Sequence, residues 1–152
     1  MSARAQTGAA PVGIRWHSPT ALLALSGGGV LVVEAVLAAL LFGVDADAPP
    51  ATRTALLLGV GGLTALGAAQ LVPAAPRLAS LLCLVAVTSA AFVFLPPFAH
   101  RLHMRYWGPS FQPTETTLGQ VLVPLLAWLL AAAPLVCAAV LAWRQARTSP
   151  SA

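Results

Sequence analysis

The sequence predicts an all-α integral membrane protein, a four-helix transmembrane bundle with both termini cytoplasmic. Its 152 residues are 59% hydrophobic and only 8% charged, whereas a soluble domain carries roughly 25% charged residues. Apolar runs long enough to cross about 30 Å of bilayer hydrocarbon as a helix occur four times. The basic residues are unevenly distributed among the connections between these runs, and this asymmetry predicts the orientation.

The first two predicted spans cover 20–44 and 54–72. Ser18 followed by Pro19 is typical of an N-cap with proline at the first helical position. The acidic and proline-rich segment 45–50 ends the first span. Pro73 and Pro76 enclose the turn after the second span, because proline cannot continue a helix hydrogen-bond ladder.

The third and fourth predicted spans cover 78–95 and 118–143. Pro96 and Pro97 are expected to end the third span, which leaves 96–117 as an outer loop. Thr117 followed three residues later by Gln120 has the form of a capping box at the entry to the fourth span.

Arginine placement orients the predicted bundle. Five arginines fall on the side of the termini and three on the other side, so the positive-inside rule places both termini in the cytoplasm. The chain then divides into a cytoplasmic segment 1–19, a membrane domain 20–144 and a cytoplasmic tail 145–152. The expected location is a cell membrane, that of a bacterium. The two sets of arginines are Arg4, Arg15, Arg77, Arg144 and Arg147 inside, and Arg53, Arg101 and Arg105 outside.

Several classes of function have no support in the sequence. The arginines are scattered and form no basic face for nucleic acid, and Cys83 and Cys137 lie in apolar runs without ligand spacing. No catalytic set of side chains can be assembled on one side of the membrane. We therefore expect no enzyme activity, no cofactor, no bound metal and no nucleic-acid partner. The expected partners are the lipid bilayer and either other membrane subunits or further copies of the chain.

Glu34 is the first candidate site, because it stands alone in the apolar first span, near the predicted membrane midplane. An ionised carboxylate there costs at least about 2.5 kcal/mol, so the group must be protonated, hydrated or partnered. Three hydroxyl residues lie near the midpoints of their own spans, and a protonated Glu34 is expected to hydrogen-bond to them within the bundle. Those residues are Thr64, Thr88 and Ser89. The set serves either as an interhelical contact or as a proton or cation relay.

Small residues recur four apart on the second span, at Gly61, Ala65 and Ala69. Such spacing lets two helix backbones approach closely. Packing inside a single bundle is the favoured interpretation, and a dimerisation face is the alternative.

The segment GGGVLVVE, which ends at Glu34, resembles the first helix of the small multidrug resistance transporters over about a dozen residues. Those are four-helix proteins in which a membrane-embedded glutamate exchanges protons for cationic drugs. The predicted third span, 78–95, lacks the tryptophan-glycine motif of that family's third helix, and the third connection of the chain is much longer. The resemblance therefore implies only an alternative function, a small proton-coupled transporter that uses Glu34.

The outer loop is the second candidate site. The spacing of His100, His103 and Met104 suggests a copper or haem ligand set, but the flanking arginines would repel a cation. An interfacial segment is the favoured interpretation, and docking of a partner is its functional form, because aromatic residues and arginine are enriched at protein interfaces. The docking candidates are His100, Arg101, His103, Arg105, Tyr106 and Trp107. The sequence thus predicts an accessory, assembly or structural subunit of a larger membrane complex.

Overall fold

The computed structural model describes residues 18–42, 49–107 and 118–148, and they form four α-helices. These are α1 (Pro19–Phe42), α2 (Pro49–Leu71), α3 (Pro76–Trp107) and α4 (Leu118–Thr148). Each of α1 and α3 packs against both α2 and α4, while α1 and α3 are diagonal to each other. The helices therefore form a square bundle in which neighbours along the chain are also neighbours in space.

All four helices are long and apolar enough to cross a membrane. The stretches that meet this description are Pro19–Leu41, Thr52–Leu71, Pro76–His103 and Leu122–Thr148. A hydrocarbon core of about 30 Å needs about 20 helical residues, and each stretch supplies them. The fold suggests a multi-pass membrane protein, as the sequence predicts.

Several predicted helix ends agree with the structure and others shift outwards. The Ser18 hydroxyl accepts a hydrogen bond from the Ala21 backbone N–H at 3.1 Å, which confirms the predicted N-cap. Helix α2 begins at Pro49, earlier than predicted, and α4 continues to Thr148. The predicted capping residue Thr117 lies outside the described residues, as do Asp45, Asp47 and Glu115.

Helix α3 passes through Pro96 and Pro97 and ends at Trp107, so the prediction that the prolines end it was wrong. Residues 96–107 are helical and do not belong to a loop. Each proline removes one backbone donor and costs about 3 kcal/mol in a helix interior. An irregular backbone exposed to hydrocarbon would leave several polar groups unpaired, each costing several kcal/mol. Within hydrocarbon, continuing the helix would therefore be less costly than ending it at the prolines.

The core consists mainly of alanine. Eight alanines distributed over the four helices are fully inaccessible among the described residues, and the large buried side chains are few: Leu31, Leu58 and Leu135. Because an alanine side chain extends only one carbon from the backbone, helices that meet through alanine lie close together. Most leucine and valine side chains instead point outwards, as expected of helices surrounded by lipid. The inaccessible alanines are Ala24, Ala65, Ala68, Ala79, Ala86, Ala90, Ala131 and Ala138.

The closest approach of α1 and α2 occurs where Gly28 meets Gly62. A Cβ atom added to Gly62 would lie 2.7 Å from Val32 Cγ2 and 3.1 Å from the Gly28 carbonyl oxygen. A side chain at Gly62 therefore cannot be accommodated without a shift, and at Gly28 an added Cβ would lie only 3.0 Å from Ala65 Cβ. This contact fixes the relative register of the first two helices, and the nearness of Gly59 to Ala35 follows from it.

Helix α4 packs against α1 at a second glycine. A Cβ atom on Gly27 would lie 2.6 Å from Leu135 Cγ and 3.0 Å from the Ala131 carbonyl oxygen. At the end of the bundle that holds the α1 N-terminus, the Gln145 side-chain amide donates a hydrogen bond of 3.2 Å to the Thr20 hydroxyl. Gly27 therefore allows close contact with α4, and Gly28 allows close contact with α2.

The small-residue face of α2 is used inside the chain. Gly61, Ala65 and Ala69 are all buried, and Gly61 packs against Ser89 and Ala86 of α3. This arrangement agrees with bundle packing, the favoured interpretation of the spacing. No surface remains on these three residues for a dimer contact.

Glycine packing predicts a sharp difference between two alanine substitutions on the same helix. Gly62→Ala is expected to destabilise the protein by about 1–3 kcal/mol, because the added methyl group overpacks the α1–α2 contact. Gly67→Ala is the matched control, since a Cβ there meets nothing within 4 Å and alanine favours the helix by up to about 1 kcal/mol. Thermal unfolding in detergent measures both. Equal stability of the two variants would contradict tight packing of α1 against α2 at Gly62.

Candidate functional site

Glu34 lies on the face of α1 that points towards α4. It follows Gly27 by two helical turns, and Gly27 packs directly against α4. The Glu34 side chain is half-buried, and its Oε2 atom is buried without a hydrogen-bond partner among the described residues. An unpaired buried acceptor is uncommon in folded proteins and calls for an explanation.

The expected hydrogen bonds from Glu34 to Thr64 and Thr88 are not formed. The Thr64 hydroxyl donates to the Val60 carbonyl at 2.7 Å, and the Thr88 hydroxyl donates to the Leu84 carbonyl at 2.9 Å. Both side chains thus bond to the preceding turn of their own helix. This is the usual way for a threonine to satisfy its donor where no water is present.

Helix register explains why Thr64 is out of reach. The glycine contacts bring Ala35 close to Gly59 and Gly28 close to Ala65, so Glu34 is level with Gly59 and Thr64 is level with Gly29. The two side chains are therefore offset by about five residues, or about 7 Å along the helix axes. Counting from the start of each span does not reveal this offset.

Ser89 is nearer in depth but belongs to the diagonal helix. Its Cβ packs against Gly61 of α2, 3.3 Å from the position a Cβ would take there. Since Glu34 faces α4, the structure does not bring the two side chains together. None of the three hydroxyl residues predicted to accompany Glu34 is thus hydrogen-bonded to it.

Trp128 is the residue that the sequence prediction missed. Its Nε1 atom is the other buried side-chain nitrogen or oxygen that lacks a hydrogen-bond partner in the described part of the chain. Helices α1 and α4 are antiparallel, and Gly27 of α1 is level with Ala131 and Leu135 of α4. Moving seven residues forwards along α1 therefore corresponds to moving seven residues backwards along α4. Glu34 is therefore level with Pro124 and Trp128, where an indole donor and a carboxyl acceptor occupy the same level of two facing helices.

A signal for Trp128 exists in the sequence. Tryptophans of membrane proteins concentrate at the two interfaces, as Trp16, Trp107 and Trp143 do in the predicted topology. Trp128 instead lies well inside the fourth span, and its side chain packs against the buried core. A tryptophan at mid-span, like an acid there, carries a polar group that needs a hydrogen-bond partner away from water.

The chemistry available at Glu34 is proton binding or hydrogen bonding. A carboxyl group in a low-dielectric setting gains most from a donor or from a bound proton. The indole N–H supplies a donor and cannot itself accept or release a proton at ordinary pH. The described residues show no hydrogen bond between the two groups.

The second candidate site lies on the last turns of α3. His100 and His103 are exposed and Arg101 is half-buried, and the backbone of residues 105–107 is helical. The described residues contain no cluster of three His, Cys, Asp or Glu side chains that could hold a metal ion. Met104, Arg105, Tyr106 and Trp107 have side chains outside the described part of the structure.

Helix α3 extends beyond its neighbours at this end. Gly61 of α2 meets Ser89 and Ala86, and the Ser80 hydroxyl donates to the Ala139 carbonyl of α4 at 2.9 Å. From these contacts, the first residues of α2 and α4 are both level with about residue 101 of α3. Residues 102–107 consequently extend past both helices by about 9 Å. We call residues 100–107 the α3 extension.

Glu34→Leu is expected to stabilise the isolated protein by about 1–3 kcal/mol, since it removes an unpaired buried carboxyl group and keeps a similar volume. Ser80→Ala is the comparison, because it removes the buried hydrogen bond to α4 and is expected to destabilise by about 1 kcal/mol. Thermal unfolding in one detergent at constant pH gives both values. If Glu34→Leu destabilises as Ser80→Ala does, Glu34 is an ordinary interhelical contact.

Comparison with known proteins does not identify a function for the chain. No family model, curated protein or solved structure matches the chain. The short resemblance around Glu34 thus remains confined to one segment of α1.

Proposed function

We propose that the protein inserts all four helices into a cell membrane and acts as an accessory or assembly subunit of a larger membrane complex. The observation that carries this proposal is the α3 extension. It holds all six predicted docking residues, four of them beyond the starts of α2 and α4, on a continuation of a membrane-length helix. A partner would meet this surface outside the hydrocarbon.

A helical docking surface has an energetic advantage over a loop. Binding costs about 0.5–1.5 kcal/mol for each flexible side chain that becomes ordered, and ordering a loop adds backbone entropy. The α3 extension has its backbone already ordered. Its arginine, tyrosine and tryptophan are residue types enriched at protein interfaces.

The bundle itself provides the rigid base for such a role. Its interior is filled by alanines and a few leucines, and glycine contacts close α1 against both of its neighbours. Large apolar side chains such as Leu40, Leu63 and Phe92 are more than 60% exposed. In a membrane these side chains contact lipid or other subunits.

The proposed orientation places both termini in the cytoplasm. Arg77, Arg144 and Arg147 lie at the end of the bundle that carries the α4 C-terminus, while Arg53 and Arg101 lie at the other end. The positive-inside rule favours the first end as cytoplasmic. The α3 extension would then face the outer side of the membrane.

Partners are expected to dissociate when the α3 extension is altered. The full chain is expressed with an affinity tag in its native membrane, chemically crosslinked and purified. Trp107→Ala and Arg105→Glu are expected to reduce recovery of crosslinked partners at least fivefold, because large aromatic and arginine side chains carry most interface free energy. Arg53→Glu, an exposed arginine at the same end on α2, is the matched control and should leave recovery unchanged.

Two results would contradict the assembly role. One is a chain that purifies from its own membrane as a stable monomer with no crosslinked partner. The other is equal recovery of partners with Trp107→Ala, Arg105→Glu and Arg53→Glu, since the contact would then lie elsewhere.

A small proton-coupled transporter is the second candidate, and the unpaired Glu34 carboxyl oxygen favours it. An acid within a membrane helix is a functional hypothesis by default. The carboxyl group lies between two helices, and Pro124, buried at its level on α4, removes a backbone hydrogen bond and gives the helix a point at which it can bend.

For transport, Glu34→Gln is expected to abolish flux driven by a pH gradient in proteoliposomes, because an amide cannot carry the proton. Glu34→Asp, which retains the acid, is the matched variant and should keep part of the flux. The helical circular dichroism spectrum verifies that both variants fold. Flux that survives Glu34→Gln, or no flux of any cation in the unaltered protein, would exclude this function.

A further inference from the structure

A groove of about 450 Å³ runs between α3 and α4 at the end opposite the α3 extension. Ser80 and Ala139 form its floor, where the Ser80 hydroxyl bonds to the Ala139 carbonyl at 2.9 Å. Its walls are apolar side chains from both helices, each between 42% and 55% exposed. These are Leu81, Leu84, Val136 and Val140.

The mouth of the groove carries positive charge beside an aromatic ring. Trp143, Arg144 and Arg147 line it, and the Arg147 guanidinium lies over the Trp143 ring at 5.5 Å from the ring centre. Arg77 is exposed at a similar depth on α3. The one acidic residue among the described residues is Glu34, which lies about 20 Å further along the bundle.

The groove has an apolar part and a basic part along its length. From Val136 to Arg147 it extends about 16 Å along α4, of which the apolar wall from Val136 to Val140 takes about 6 Å. A ligand that fills it needs an anionic group at one end and an apolar segment at the other. Arginine pairs well with phosphate because its guanidinium can donate two parallel hydrogen bonds.

We propose that this groove binds an anionic phospholipid, with the phosphate against Arg144 and Arg147 and one acyl chain along the apolar wall. Basic pockets between membrane helices on the cytoplasmic side are suited to acidic headgroups. Trp143 at the mouth has the position of an interfacial anchor. Charge complementarity selects the headgroup, and the apolar wall distinguishes a lipid from a soluble anion or an acidic peptide.

The test measures lipid retention by the purified full-length chain. The protein in detergent is mixed with equal amounts of phosphatidylglycerol and phosphatidylcholine, and bound lipids are counted by native mass spectrometry. Phosphatidylglycerol is expected to be retained preferentially. Arg144→Gln should reduce this retention about fivefold, the effect of removing one favourable charge near the membrane surface, whereas Arg53→Gln at the opposite end should not.

A second pair of variants tests the apolar wall. Val140→Trp fills the groove and is expected to reduce phosphatidylglycerol retention, while Val123→Trp, an exposed valine of α4 outside the groove, should leave it unchanged. The melting temperature should rise with phosphatidylglycerol and not with an equal concentration of inorganic phosphate.

Three outcomes would overturn the proposal. Equal lipid retention by Arg144→Gln and Arg53→Gln would show that Arg144 does not bind the headgroup. Unchanged retention by Val140→Trp would show that no acyl chain lies in the groove. Equal stabilisation by inorganic phosphate would show that the mouth of the groove binds anions in general and not a lipid.

Discussion

The close approach of helix backbones at three glycines is the constraint on which the rest of the structure depends. Gly28 and Gly62 bring α1 against α2, and Gly27 brings α1 against α4. In lipid, where apolar burial drives helix association only weakly, such close packing is a main source of bundle stability. These contacts also determine the register of α1 against α2 and against α4.

Register in turn decides which polar groups meet. Glu34 lies level with Trp128 of α4, and the threonines that share its nominal depth bond to their own helices. The register of α3, set by its contacts at Gly61 of α2 and Ala139 of α4, leaves the end of α3 extending past both helices. The two candidate sites therefore both follow from helix register, one inside the bundle and one at the end that holds the starts of α2 and α4.

The sequence predicted the local features well, because they depend on neighbouring residues. Four apolar runs, the Ser18 cap and the turn between Pro73 and Pro76 all follow from composition and short-range chemistry. The path of α3 through Pro96 and Pro97 was not predicted, because proline locally disfavours a helix. In hydrocarbon an irregular backbone would cost more than the two prolines do. The separation of Glu34 from Thr64 was not predicted either. Counting residues from the start of one helix gives a depth, but it does not give the register between two helices.

The most direct test of this account is a spin-label accessibility scan along α3. Single cysteines are introduced at each position from 92 to 103 after Cys83 and Cys137 are replaced by alanine, and the chain is reconstituted in lipid. Accessibility to oxygen and to a water-soluble nickel reagent should keep a helical period of about 3.6 residues through Pro96 and Pro97, and nickel accessibility should dominate beyond His100. Loss of the period at Pro96, or oxygen accessibility that dominates throughout, would contradict the proposal that α3 leaves the membrane to form a docking surface.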